Sequence, residues 1–130
     1  MGVYEVVTGT KSWPERFTFS PAVRAGNLLF ISGTTATDES GKIVAPGDIV
    51  AQTRYIYQKF GKLLAAVGAG FEHIVQTTEY ITTTENYRKT AEVRREIFKG
   101  PFPTATGVIV KGLLREGALI EISAMAALPG

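Results

Sequence analysis

Cysteine is missing from this sequence altogether, and histidine occurs once, at His73. The first absence excludes disulfide staples, thiol nucleophiles and thiolate metal sites together. The second leaves a transition-metal centre without its usual imidazole set, so no metal is expected and His73 reads as a structural or solvated residue. Charge of one sign is also scarce. The 14 Lys and Arg residues against 12 Asp and Glu give a net charge of +2, and the basic residues often sit beside acidic ones. That balance argues against a nucleic-acid surface. No apolar run approaches the roughly 20 residues of a membrane span, and the N-terminus lacks a basic region followed by an apolar core. A cytoplasmic protein without membrane or nucleic-acid partners is the expectation.

What is present is ordinary for a globular chain: 130 residues, 45% hydrophobic and 20% charged. This length fits one domain spanning the whole sequence. Val3–Thr8 reads as a short strand, Lys11–Glu15 as a loop broken by Trp13-Pro14, and Arg16–Arg24 is ambiguous because Pro21 interrupts it. Leu28–Gly33 is apolar on both faces, as in a central strand covered on both sides. Asp48 stands where an N-cap belongs, before a helix in which Ile49, Ile56, Phe60, Leu63, Leu64 and Val67 recur at helical spacing up to Gly68. Ile74–Ile81 reads as a strand. Thr83 or Thr84 is expected to cap a second helix through Phe98, with Tyr87, Ala91, Ile97 and Phe98 inward and Arg88, Glu92, Arg95 and Glu96 in solvent.

The stretch from Pro103 to Ala126 reads as two further strands, Thr106–Val110 and Leu119–Ala126, broken by Gly112 and Gly117. Alternation puts Ile120, Ile122, Ala124 and Ala126 on one face and the carboxylate of Glu121 on the other. A carboxylate within so apolar a strand needs water, a partner or a chemical role. The order β-β-β-α-β-α-β-β makes an α+β domain whose two helices cover one face of a mixed sheet. Ala105, Gly107 and Ile109 are expected on the uncovered face, opposite Glu121 across one strand, and this apolar surface points to self-association.

Several segments resemble the Rid family, also called the YjgF/YER057c/UK114 family, over nearly the whole chain. They are Ala25-Gly26-Asn27-Leu28-Leu29-Phe30-Ile31-Ser32-Gly33, Gly47-Asp48-Ile49 with Gln52-Thr53, Ala66-Val67-Gly68, Thr77-Thr78, Pro103, and Ala118-Leu119-Ile120-Glu121-Ile122 with Ala124. The N-terminal half is most similar to the branch containing the aminoacrylate deaminase of pyrimidine catabolism. The resemblance implies a chorismate-mutase-like fold and a homotrimer with ligand clefts between subunits. It also implies cofactor-free hydrolysis of enamines and imines to ketones and ammonia.

In that family the cleft uses an Arg from a Pro-Ala-Arg-Ser-like motif to hold the substrate carboxylate, with a Tyr, a Ser, an Asn, often a Cys, and a Glu near the C-terminus. Here Ser32 and Glu121 match. Ala105 replaces the Arg, Gly107 stands at the Cys position, Phe19 replaces the Tyr and Ala91 stands where Asn is common. The resemblance therefore implies a catalytic Glu121, with Ser32, Phe19, Ala105, Thr106 and Gly107 against a small-molecule ligand. Without the clamp, common amino-acid-derived imines are expected to bind poorly, and Arg16, Arg24, Arg54, Lys111 and Arg115 are the candidate replacement cations. A trimeric ligand-binding or regulatory protein that has lost the chemistry is the alternative. RNA cleavage finds little support in near-neutral charge and one histidine.

Overall fold

The computed structural model describes residues 2–9 and 13–129, so Lys11 and Ser12 of the expected Lys11–Glu15 loop lie outside the described residues. Strands β1 (Glu5–Val7), β2 (Ala22–Ala25) and β3 (Leu28–Thr35) precede helix α1 (Ile49–Ala65). Then come β4 (Ile74–Ile81), α2 (Ala91–Phe98), β5 (Thr104–Ile109) and β6 (Ile120–Ala127). The expected α+β order is present. The six strands form one mixed sheet in the order β1-β2-β3-β6-β4-β5, in which only the β4–β5 pair is parallel.

Helix α1 starts where Asp48 accepts the Ala51 N–H at 3.0 Å, which satisfies one of the amides left free by the first turn. Its buried face runs Ile49, Gln52, Thr53, Ile56, Tyr57, Phe60, Leu63 and Leu64, and it packs against Leu29, Ile31, Ile120 and Ile122 of the sheet. Each such Leu, Ile or Phe contributes about 1.5–3 kcal/mol by leaving water. Buried within this face, Gln52 accepts the Leu119 N–H at 2.9 Å and donates to the carbonyls of Ala45 and Gly117, both at 3.3 Å. One side chain thus fixes the entry into β6, and with it the position of Glu121.

The second helix differs from expectation. Thr83 accepts the Glu85 N–H in a turn, Asn86 takes a left-handed conformation, and a 3-10 turn over Tyr87–Thr90 leads into α2. Val93, absent from the expected inward set, is fully buried, because the 3-10 turn rotates the helix relative to a helix begun at Thr83.

A second correction concerns the sheet faces. β4 lies between β5 and β6. Its register pairs Thr77 with Ala105, Glu79 with Gly107 and Ile81 with Ile109, and the same residues of β4 pair with Ala124, Ile122 and Ile120. Ala105, Gly107 and Ile109 therefore belong to the helix-side face and not to the open one. The open face carries Glu121, Ser123 and Met125 beside Tyr80, Thr78 and Gln76, then Val108, Thr106 and Thr104. It is more polar than the sequence reading held, although Phe30 (38% exposed) and Val108 (39%) remain on it.

Candidate functional site

Glu121 sits at a discontinuity. The β3–β6 register shifts between Ile31 and Thr34, and Thr35 pairs with Glu121 beyond the irregularity. At Gly33 a Cβ would come within 2.7 Å of a Glu121 carboxylate oxygen, so the missing side chain is what lets the carboxylate lie across the strand. Among the described residues, no hydrogen bond or ion pair engages Glu121. A half-buried, unpaired carboxylate on an open sheet face keeps all its lone pairs for water or a ligand.

Ser32, beside Gly33, donates its hydroxyl to the Ser20 carbonyl at 2.6 Å, which ties β3 to the segment carrying Phe19. Phe19 is 52% exposed, stacks on Phe17 and meets the edge of Trp13, whose indole N–H donates to the Phe19 carbonyl at 2.8 Å. Trp13 thus anchors this loop. Thr106 shares a cross-strand row with Thr78 and Ser123 on the Glu121 side of the sheet. Ala105 and Gly107 do not join this group within one chain, because residues one register step apart face opposite ways.

On the helix side, Ala105 opens onto a hollow of about 240 Å³ between α2 and the start of β5, where Thr77, Arg94, Arg95, Phe98 and Phe102 also meet. None of the five cations named from the sequence lines it. Behind it, next to Gly107 in the register, is a carboxylate that the sequence reading missed: Glu79, 3% exposed. Glu79 accepts a short hydrogen bond from the Tyr87 hydroxyl and is paired with Arg94 Nη1 at 3.2 Å. The same Nη1 donates to Thr90 at 2.9 Å, and the Thr90 hydroxyl donates to the Tyr87 carbonyl at 2.6 Å. Burial, followed by the hydrogen bond to Glu79 and its charge, pushes the Tyr87 phenol up to about 12, so it remains a donor at neutral pH. The signal for this cluster was present. Alternation in β4 puts Glu79 on the face of Ile81, and Tyr87, Ala91, Arg94 and Phe98 fall along one side of a helix.

Lys59 forms a third polar site on the helix side. Its ammonium donates to Thr34 Oγ1 at 2.6 Å, the Thr35 carbonyl at 2.9 Å and the Thr37 carbonyl at 3.1 Å. Burial, with the Arg115 charge adding to it, lowers its pKa to about 8. His73 plays a local part, its Nδ1 accepting the Gly70 N–H at 3.0 Å. Among the described residues no three His, Asp or Glu side chains converge as a metal would require. No helix among them is long and apolar enough to cross a membrane. A wider, shallow hollow of about 800 Å³ runs along β1 and the end of α1 past Val7, Val67 and the candidate cation Arg24, and no other candidate residue lines it.

Residues 11–128 match the model of the family described as Endoribonuclease L-PSP. Among solved structures, a protein of unknown function of the conserved Rid protein family from Yersinia pestis is 30% identical, with 96% of this chain and 99% of that one covered at a TM-score of 0.85. A member of the highly conserved YjgF/YER057c/UK114 family from Mycobacterium tuberculosis is also 30% identical, covering 96% and 99% at a TM-score of 0.80. RidA from an Antarctic Psychrobacter, 23% identical over 95% and 98% at a TM-score of 0.82, shares the fold.

Proposed function

Because this chain belongs to the Endoribonuclease L-PSP family, which includes the Rid proteins, we propose that it is a cofactor-free hydrolase that deaminates a small enamine, imine or related conjugated compound. The observation that carries this reading is the unpaired carboxylate of Glu121 lying over Gly33 on the open sheet face. In the reaction, Glu121 takes a proton from water as the water oxygen bonds to the imine carbon. Glu121 returns that proton to the nitrogen to give a carbinolamine, and the hydroxyl proton then passes to the nitrogen as the C–N bond breaks, leaving the carbonyl and ammonia. For an enamine, Glu121 in its acid form first protonates the carbon. General acid–base catalysis of this kind is worth about 10²–10⁴ in rate.

The cleft is completed between copies of the chain in a homotrimer, in which Phe19, Ser32, Thr106, Ala105 and Gly107 reach the ligand. Exposed Phe30 and Val108 on the open face support such an assembly. Ala105 in place of the family Arg removes a charge-assisted clamp worth about 1.5–3 kcal/mol, so short amino-acid-derived imines are poor substrates. One observation favours a non-catalytic ligand-binding protein as the second reading: the Ser32 hydroxyl already donates to Ser20, and Phe19 and Ala91 bring no polar group to the ligand.

Two measurements test the proposal. Sedimentation should give about three times the chain mass of 14.0 kDa, and a stable monomer would remove the shared cleft. Ammonia release should be followed across a panel of imines with and without a carboxylate. Turnover of a neutral member is expected, whereas ligand binding without ammonia from any member would favour the second reading.

A further inference from the structure

We propose that Lys59 is the positioning residue for Glu121: from the helix side of the sheet, its ammonium holds the short run of β3 over which that carboxylate lies. This role rests on the reading of Glu121 as the group that moves protons, and it adds what aims that group and when the aim is lost. From Ile31 to Thr34 the chain of β3 advances three residues while β6 advances two, from Ala124 to Ile122, so β3 carries one extra residue there. Such a bulge bends the strand and interrupts its ladder. Gly33 lies inside the bulge, against the Glu121 carboxylate, and beyond it the ladder has two pairs left, Thr34 with Ile122 and Thr35 with Glu121. So short a ladder is prone to local opening unless something else ties it down.

Lys59 supplies the tie. All three of its N–H donors are used within this segment, on Thr34 Oγ1 at 2.6 Å, the Thr35 carbonyl at 2.9 Å and the Thr37 carbonyl at 3.1 Å. A neutral amine keeps two N–H donors and turns a lone pair toward an oxygen, so one of the three contacts breaks when the proton leaves. Two titratable side chains face the ammonium. Arg115, on the connection between β5 and β6, stays charged, and its charge adds to burial in bringing the Lys59 pKa down to about 8. Tyr55, on the same helix with its ring centroid 6.0 Å away, is held above its ordinary value by burial and then by the charges of Asp38 and Glu39, so it stays neutral in weakly alkaline solution. No carboxylate pairs with Lys59 among the described residues. One proton therefore sets how firmly the bulge is held. The contribution of Lys59 to stability rises over the same pH range, so a fall in turnover there is not unfolding.

The full chain is compared with Lys59→Met, which cannot donate, and Lys59→Arg, which donates and keeps its charge. Amide hydrogen exchange at neutral pH needs no substrate. Lys59→Met is expected to speed exchange at residues 34–37 about tenfold beyond any change at residues 29–31 of the same strand, and Lys59→Arg to restore most of the protection. On an imine that is turned over, Lys59→Met should lower kcat about ten- to a hundredfold with KM little changed. Wild-type kcat should fall several-fold from pH 7 to pH 9.5, and that fall should be absent in Lys59→Arg. Arg115→Gln leaves the three bonds in place and removes the neighbouring charge, so it should move the fall to higher pH. Exchange raised evenly across the sheet, or unchanged at residues 34–37, would overturn the proposal. Local loosening in Lys59→Met without ammonia release from any imine would uphold the hold on Glu121 while counting against the deaminase reading. Wild-type turnover that Lys59→Met leaves unchanged would do the reverse.

Discussion

Glu79 and Glu121 stand on neighbouring strands of one sheet, yet the register pairs Glu79 with Ile122 and Glu121 with Tyr80. That offset of one residue sends the two carboxylates to opposite faces. Glu79 goes under the helices, where a bare charge would be very costly, and it is matched by a guanidinium and a phenol. Glu121 goes to the open face, where water can solvate it, and it is left unpaired beside a glycine. The locked carboxylate ties α2 to the sheet, and the free one is the group proposed to move protons. The difference shows that an acidic residue's role here follows from the face to which the register assigns it.

The sharpest way to break this comparison is to unlock Glu79. Arg94→Met leaves a buried carboxylate without its cation, and such losses run to about 3–5 kcal/mol. A urea melt should show that loss, and adding Glu79→Val should restore most of it. If Arg94→Met melts like wild type, the pair does not hold this region together.

A smaller effect is expected at Lys59, a helix-side cation matched by three neutral oxygens instead of a carboxylate. Lys59→Met strands these acceptors and should cost about 1–3 kcal/mol. Its pH dependence has a definite sign. The folded pKa, lowered to about 8 from 10.5, means that the unfolded chain binds more protons between those values, so this group's contribution to stability rises with pH across that window. Comparing wild-type and Lys59→Met melts from pH 7 to pH 10 should show that rise only in the wild type. Parallel curves would mean that Lys59 titrates alike in both states.

Much of the fold was legible in the sequence because local signals agreed: the Asp48 cap, the helical spacing of α1 and the alternation of β6. The position of β4 between β5 and β6 was not. Chain order makes those two strands look adjacent, and only the parallel β4–β5 pairing separates them. That one topological fact moved Ala105 and Gly107 off the Glu121 face. The Glu79–Arg94 pair was hidden for a related reason. It joins a strand to a helix, so although spacing gives the face of each residue, their meeting depends on how the two elements pack. Ser32 and Glu121 could be singled out by resemblance, but the Gly33 gap and the Gln52 clamp that position Glu121 depend on tertiary contacts.

The most direct test of the account is a crossed comparison of Glu121→Gln and Glu79→Gln on the best imine substrate from the panel, reading ammonia release and melting temperature for each. Glu121→Gln should lower turnover by about 10²–10⁴ with little change in melting temperature, because it removes a base from an unpaired, half-buried position. Glu79→Gln should lower the melting temperature, since it strands the Arg94 charge. Wild-type turnover in Glu121→Gln, with the stability loss falling there instead, would contradict the assignment of proton transfer to Glu121.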